Sequence, residues 1–314
     1  MLLVILIVII VILVLFGAGY YIFASVFINN KKQEPADPAF IDSDKDLMRP
    51  TAARLYAYID PLKEKMKQLP LKRLETMSFD GHKLVGFLLE GNPEEVVICV
   101  HGFKSDMYSD YADKIKIYQD RGSTVLLMND RAHGESEGKY LGFSELDRMD
   151  VARWVDKINQ MYEKPRIYLH GVSMGGATVI HCADMHLENV CGIIDDCGFD
   201  SILSITHFLM NSVFHVPYFP LGYLAWFWSQ VLNHVNFNTS IGERCVYESD
   251  VPIVFIHGKE DHYVPCWMSI DMYEACRAPK ELHLIEDCGH AAAYMVATEE
   301  YTAMVNRLLN GEVK

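Results

Sequence analysis

Between residues 96 and 285 the chain passes again and again through short, almost wholly apolar runs, each separated from the next by a stretch with helical spacing. Val96–Val100, Thr124–Met128, Ile167–Leu169, Val190–Ile194, Ile253–Ile256 and Leu282–Ile285 are too short for buried helices. They are also too continuously apolar for strands with one wet face, so they read as strands covered on both sides. Helical spacing falls at 110–119, 145–162, 177–186 and 293–309. In the second of these, Leu146, Met149, Val151, Val155 and Ile158 share one face. Strands alternating with helices in this way require a mostly parallel sheet with helices on both faces. Two further runs, Leu74–Phe79 and Leu84–Leu89, flank Asp80-Gly81, which predicts an opening hairpin and a sheet of eight strands.

One stretch breaks the rhythm. Residues 199–250 are long, aromatic and proline-marked, with Phe208, Phe214, Tyr218, Phe219, Tyr223, Trp226, Phe227 and Trp228. They are expected to form a helical cap over one edge of the sheet. Pro217 and Pro220 interrupt the stretch, and the residues from Leu221 to Leu232 are too few to cross a bilayer.

Residues 2–28 contain no charged side chain. As a helix they would reach roughly 40 Å, enough to cross a ~30 Å hydrocarbon core with tilt. No Lys or Arg precedes the run and it is longer than the core of a secretory signal, so it reads as a retained transmembrane anchor. Lys31 and Lys32 follow it, and the positive-inside rule then places the remaining chain in the cytoplasm. Residues 29–50, rich in Pro and acidic groups, read as an extended linker. Residues 51–314 form the folded domain, opening with an amphipathic helix at 51–67 that presents Leu55, Tyr58, Ile59 and Leu62 on one face.

The net charge of −14 disfavours phosphate backbones, so nucleic acid is not an expected partner. None of the eight cysteines forms a C-x-x-C pair, and several lie in buried runs, so they read as small free-thiol hydrophobes.

Arg166-Ile-Tyr-Leu-His170 runs into Gly171-Val172-Ser173-Met174-Gly175 and then a helix. A strand, Gly-x-Ser-x-Gly and a helix make a nucleophile elbow, a sharp turn that lifts the serine hydroxyl above the sheet. A serine hydroxyl attacks only if a base takes its proton. Asp261, just beyond the 253–256 strand, is the expected acid, and His290, between Gly289 and Ala291 after the next strand, the expected base. Asp195, Asp196, Glu260, Glu286 and Asp287 rival Asp261, while His101, His133, His257 and His262 are the other histidines in play. Backbone N–H groups of Phe103, after His101-Gly102, and of Met174 are the expected oxyanion donors. The loop Asn129–Ser136 reads as a structural tie near the elbow. Phe103, Phe208, Phe214, Tyr218 and Trp226 are the expected substrate-pocket residues, suited to an apolar acyl or aryl group.

Together, His101-Gly102-Phe103, Asp130-Arg131-Ala132-His133-Gly134-x-Ser136, Gly171-x-Ser173-x-Gly175, Gly258-x-x-Asp261-x-x-Val264-Pro265 and Gly289-His290-Ala291 resemble the α/β hydrolases over residues 70–310. The set is most similar to the bacterial membrane-anchored cell-surface hydrolases, near the serine-aminopeptidase and prolyl-oligopeptidase-like branch. Asp195-Asp196-Cys197-Gly198-Phe199-Asp200-Ser201 is similar to the segment with which that group enters its cap. Ala132 departs from the glycine more usual in the charged loop. The resemblance implies an α/β-hydrolase fold and a serine hydrolase with neither metal nor organic cofactor. Carboxylic ester hydrolysis of a small or lipid-like substrate is the expectation. Peptidase, thioesterase, lipase or acyltransferase chemistry on the same triad and a non-catalytic binding protein are the alternatives.

Overall fold

The computed structural model describes residues 1–29 and 52–314. Helix α1 (Leu2–Phe27) is followed by α2 (Ala52–Met66), the hairpin β1 (Lys72–Met77) and β2 (Lys83–Leu89), and β3 (Asn92–Val100). Two short helices, α3 (Met107–Tyr111) and α4 (Ile115–Arg121), lead to β4 (Ser123–Met128) and α5 (Asp147–Met161). Next come β5 (Arg166–Val172), α6 (Met174–His181) and β6 (Val190–Asp196). The cap comprises α7 (Ile202–Phe208) with a π-helical turn at Leu209–Val213, α8 (Leu221–Leu232) and α9 (Gly242–Tyr247). The chain ends with β7 (Ile253–Gly258), α10 (Trp267–Ala275), β8 (Lys280–Ile285), α11 (Ala293–Val296) and α12 (Thr298–Leu309).

The eight strands lie in the order β1-β2-β4-β3-β5-β6-β7-β8. β2 runs antiparallel to both neighbours and every pairing from β4 to β8 is parallel. The pleat divides the apolar strand residues between two cores. Val97, Cys99, Val125, Leu127 and Tyr168 pack with α3, α4 and α12. Val96, Ile98, Val100, Leu126, Met128 and Leu169 pack with Trp154 and Val155 of α5 and Val179 and Ile180 of α6. Burial on both faces is the reason these strands carry no alternation.

Where element bounds differ from the sequence expectation, local chemistry explains it. The helix expected at 110–119 is two helices, because Asp106 caps α3 early by accepting from the amides of Tyr108 and Ser109. The final helix is broken at Ala297, whose φ −131° and ψ 52° lie outside the helical region. Helix α6 begins at Met174, earlier than its apolar spacing indicates, because it starts directly out of the elbow.

A third core joins the cap to the carboxyl edge of the sheet, and α1 enters it. Gly19, Phe23 and Phe27 form the buried face of α1 at a spacing of one turn. Phe27 packs 5.2 Å from Phe143, and Phe23 5.5 Å from Tyr140. The Leu141 amide donates to Phe27 O at 2.8 Å, and Trp228 Nε1 donates to Phe16 O at 3.1 Å. Leu2–Val14, by contrast, are exposed, and α1 is long and apolar enough to cross a membrane. Apart from Asn29, the expected linker at 29–50 lies outside the described residues.

Candidate active site

The site is built where β5 turns into α6. Ser173 stands at that turn with φ 56° and ψ −117°, a strained backbone that projects its side chain off the strand end. The turn closes only because its flanks are glycines. A Cβ at Gly171 would lie 2.0 Å from Gly175 O, and one at Gly175 would lie 2.0 Å from Val100 O. The Ser173 amide is tied down by Asp196 O at 2.8 Å.

His290, on the loop after β8, bridges two groups distant in sequence. Its Nε2 lies 2.8 Å from Ser173 Oγ, and its Nδ1 lies 2.6 Å from Asp261 Oδ2. Asp261, on the loop after β7, is fixed through Oδ1, which accepts from the amides of Tyr263 (2.9 Å) and Val264 (2.8 Å). All three side chains are buried. Burial alone would raise the Asp261 pKa, but the charge of His290 and hydrogen bonds from His257 and His290 outweigh it. They hold the carboxyl well below the usual carboxylate range. The Tyr263 ring and the His290 imidazole pack edge to face, 5.1 Å between centroids.

β3 and the loop that follows it pack against the elbow. Gly102 lies close enough to the elbow that a Cβ there would stand 3.2 Å from Ser173 Cβ. The Gly102 amide donates to Asp110 Oδ2 at 2.6 Å, and Ser105 Oγ donates to Asp110 Oδ1 at 2.8 Å. Among the described residues neither the Phe103 nor the Met174 amide donates to a protein acceptor.

The rivals fall elsewhere. Asp195 accepts from the Gly198 amide at 2.9 Å, and burial pushes its pKa up to about 7. Asp196 accepts from Tyr301 Oη at 2.9 Å and faces Lys114 at 3.9 Å. Glu260, His262, Glu286 and Asp287 are exposed. His257 is buried 3.3 Å from Asp261, where it supports the acid rather than touching Ser173. His101 Nε2 accepts from the Asp130 amide at 3.2 Å, and His133 Nδ1 donates to Arg131 O at 3.0 Å. Arg131 grips Asp150 through two hydrogen bonds of 2.7 Å, so the charged loop does serve as a tie.

The expected pocket residues scatter. Phe103 lies half-buried against Phe143 at 5.7 Å between ring centroids. Phe208 lines a cleft of about 450 Å³ with Leu203, Ser204, His207 and Trp267. Tyr218 is buried, stacked on His207 at 3.9 Å, and Trp226 is half-buried in the cap core. Phe214 is 60% exposed and is not brought to the site, because it follows the π-helical turn on the outer side of the cap. Sequence reasoning missed Asp110, which carries no motif and is seen to hold the Gly102 amide only once the chain folds. It also missed the contribution of Phe23 and Phe27 to the core shared by Met174.

A parallel sheet bearing a strained serine elbow, with its histidine and aspartate on successive strand-end loops, defines the α/β-hydrolase class. Known proteins agree. The serine aminopeptidase S33 family profile matches residues 91–198. The uncharacterized protein YqkD of Bacillus subtilis is 25% identical over 251 residues, covering 79% of this chain and 82% of its own length. The uncharacterized protein YfhR of Escherichia coli is 25% identical over 228 residues, covering 70% and 74%. The esterase Pf2001 of Pyrococcus furiosus superimposes with a TM-score of 0.65 at 23% identity, covering 80% of this chain and 95% of that one. The chain adopts the α/β-hydrolase fold, and its nucleophile-bearing part is similar to the serine aminopeptidase S33 family.

Proposed function

We propose that this protein is a membrane-anchored serine hydrolase that cleaves carboxylic esters through an acyl-enzyme. The observation that carries this is His290 standing between Ser173 Oγ at 2.8 Å and Asp261 Oδ2 at 2.6 Å. Ser173 Oγ attacks the ester carbonyl as its proton passes to His290 Nε2. Asp261 accepts from Nδ1–H, which keeps Nε2 free as the base and stabilises the imidazolium. The amides of Phe103 and Met174 receive the charge on the carbonyl oxygen. When the tetrahedral centre collapses, the C–O bond to the alcohol breaks and His290 returns the proton to the leaving oxygen. Water, deprotonated by His290, then releases the acid and restores Ser173.

The core beside Ser173 suits an apolar acyl or aryl group. Met174, Phe143, Phe199 and Val264 share one core with half-buried Phe103. An ester rather than an amide is supported by the solved Pyrococcus furiosus structure, which is named as an esterase. The anchor rests on the length and apolarity of α1.

The test is hydrolysis of p-nitrophenyl esters of rising chain length by the full chain in detergent. Activity should rise from acetate to longer acyl chains. Ser173→Ala and His290→Ala should each lose about 10⁴-fold or more in kcat. Full activity in Ser173→Ala would remove the serine from its role, and a flat chain-length response would count against an apolar acyl pocket.

A further inference from the structure

The length of α1 and its contacts with α8 together have a consequence for the cap. Leu2–Val14 are the exposed aliphatic part of α1, yet they rise only about 20 Å at 1.5 Å per residue. A hydrocarbon core is ~30 Å thick and takes about 20 residues to cross. The missing ~10 Å falls on the next turns, to about Tyr21. Those turns are the ones held by the cap. The Phe16 ring contacts Phe227 at 5.7 Å and Trp228 at 6.5 Å, and Tyr20 contacts Trp228 at 5.4 Å. A Cβ on Gly19 would meet Leu224 Cβ at 2.4 Å. A bilayer crossed by α1 therefore reaches the depth of α8.

The outer face of α8 is built for that position. Tyr223, Phe227 and Val231 recur one turn apart and are 52%, 45% and 50% exposed, and Phe219, 75% exposed, precedes them. Residues 202–242 carry no Asp, Glu, Lys or Arg. A water-facing surface of this size normally mixes charges among its polar groups, and an exposed apolar patch marks an interaction surface. Charged side chains meet α1 at its end nearest the catalytic body. There Lys104 Nζ donates to Ser25 O at 2.6 Å, and Lys139 Nζ lies 5.0 Å over the Tyr140 ring. Lysines and tyrosines belong at headgroup level.

We propose that the α8 face formed by Phe219, Tyr223, Phe227 and Val231 is a lipid-contacting surface, immersed in the bilayer that α1 crosses. The cap then sits in the upper part of the membrane, and the catalytic edge of the sheet is held at the headgroup plane. This rests on the anchor assignment made above and adds to it the depth and orientation of the hydrolase.

The experiment uses the full chain reconstituted into phosphatidylcholine vesicles, with Trp variants measured against the wild-type background. Ile9→Trp reports α1; Phe227→Trp and, independently, Tyr223→Trp report α8. In each variant the signal is the added tryptophan emission lost to lipids brominated either high on the acyl chain or near its end. The expected result is that all three are quenched. Phe227→Trp and Tyr223→Trp should respond more to the high bromines and Ile9→Trp more to the deep ones. Quenching of Ile9→Trp alone leaves the anchor standing and overturns the immersed cap. If, in that case, the two α8 sites also cross-link between copies, the face is a contact between two chains. Quenching of none of the three overturns the anchor and the immersed cap together.

Discussion

Each member of the proposed triad is held by more than its partner in that triad, which makes the effects of single changes specific. Asp261 is the clearest case, with two backbone amides on Oδ1 and two histidines near Oδ2. Asp261→Asn cannot accept from Nδ1–H in the same way and favours the wrong tautomer, so kcat should fall by about 10⁴-fold with little change in KM. Its acid stability should change too. A carboxylate whose folded pKa lies below its unfolded value near 3.9 stabilises the fold fully above that value. That contribution is lost as pH falls through the folded pKa. The wild-type melting temperature should therefore drop with pH below about 4, and the drop in Asp261→Asn should be shallower. Equal slopes would mean that the buried carboxylate is not ionised. In the proposed mechanism Asp110 acts at one remove, because it accepts from the Gly102 amide next to Phe103. Asp110→Ala should lower kcat by up to about 10²-fold through misplacement of the Phe103 amide, with KM nearly unchanged. Asp110→Asn, which retains an acceptor for the Gly102 amide, should recover much of the loss. A rise in KM in place of a fall in kcat would show Asp110 serving binding instead.

Among the elements, α1 is where tertiary structure adds most to the sequence. The apolar run shows that it can cross a membrane, but only the folded chain shows that its last turns are part of the hydrolase core. Gly17 and Gly19 separate these two roles. A Cβ at Gly17 meets nothing within 4 Å, whereas one at Gly19 collides with Leu224 at 2.4 Å. Gly19→Val should cost about 1–3 kcal/mol, as overpacking does, and lower the melting temperature of the detergent-solubilised chain. Gly17→Val should leave it near the wild type. Equal behaviour of the two variants would mean that α1 and α8 do not pack together.

Across the whole molecule, the parallel sheet and the elbow were legible because each rests on a local signal. Unbroken apolar runs mark strands buried on both faces, and Gly171 and Gly175 mark a turn into which no Cβ fits. The pairing of Asp261 with His290 was legible from chain order and strand-end placement, without any signal of distance. The pocket was not legible. Aromatic residues of the cap serve its own packing (Tyr218), its cleft (Phe208) and its outer surface (Phe214), and composition cannot divide them. Asp110 and the docking of α1 depend on residues far apart in sequence meeting at one edge of the sheet, which periodicity does not encode. In the proposed reaction the oxygen of residue 173 becomes covalently bonded during turnover. The most direct measurement is mass spectrometry of the full chain after reaction with a fluorophosphonate. One phosphonyl adduct should form, on the peptide carrying Ser173, slowly or not at all in His290→Ala. An unmodified Ser173 in an active preparation, or an adduct formed equally fast without His290, would contradict the proposed reaction.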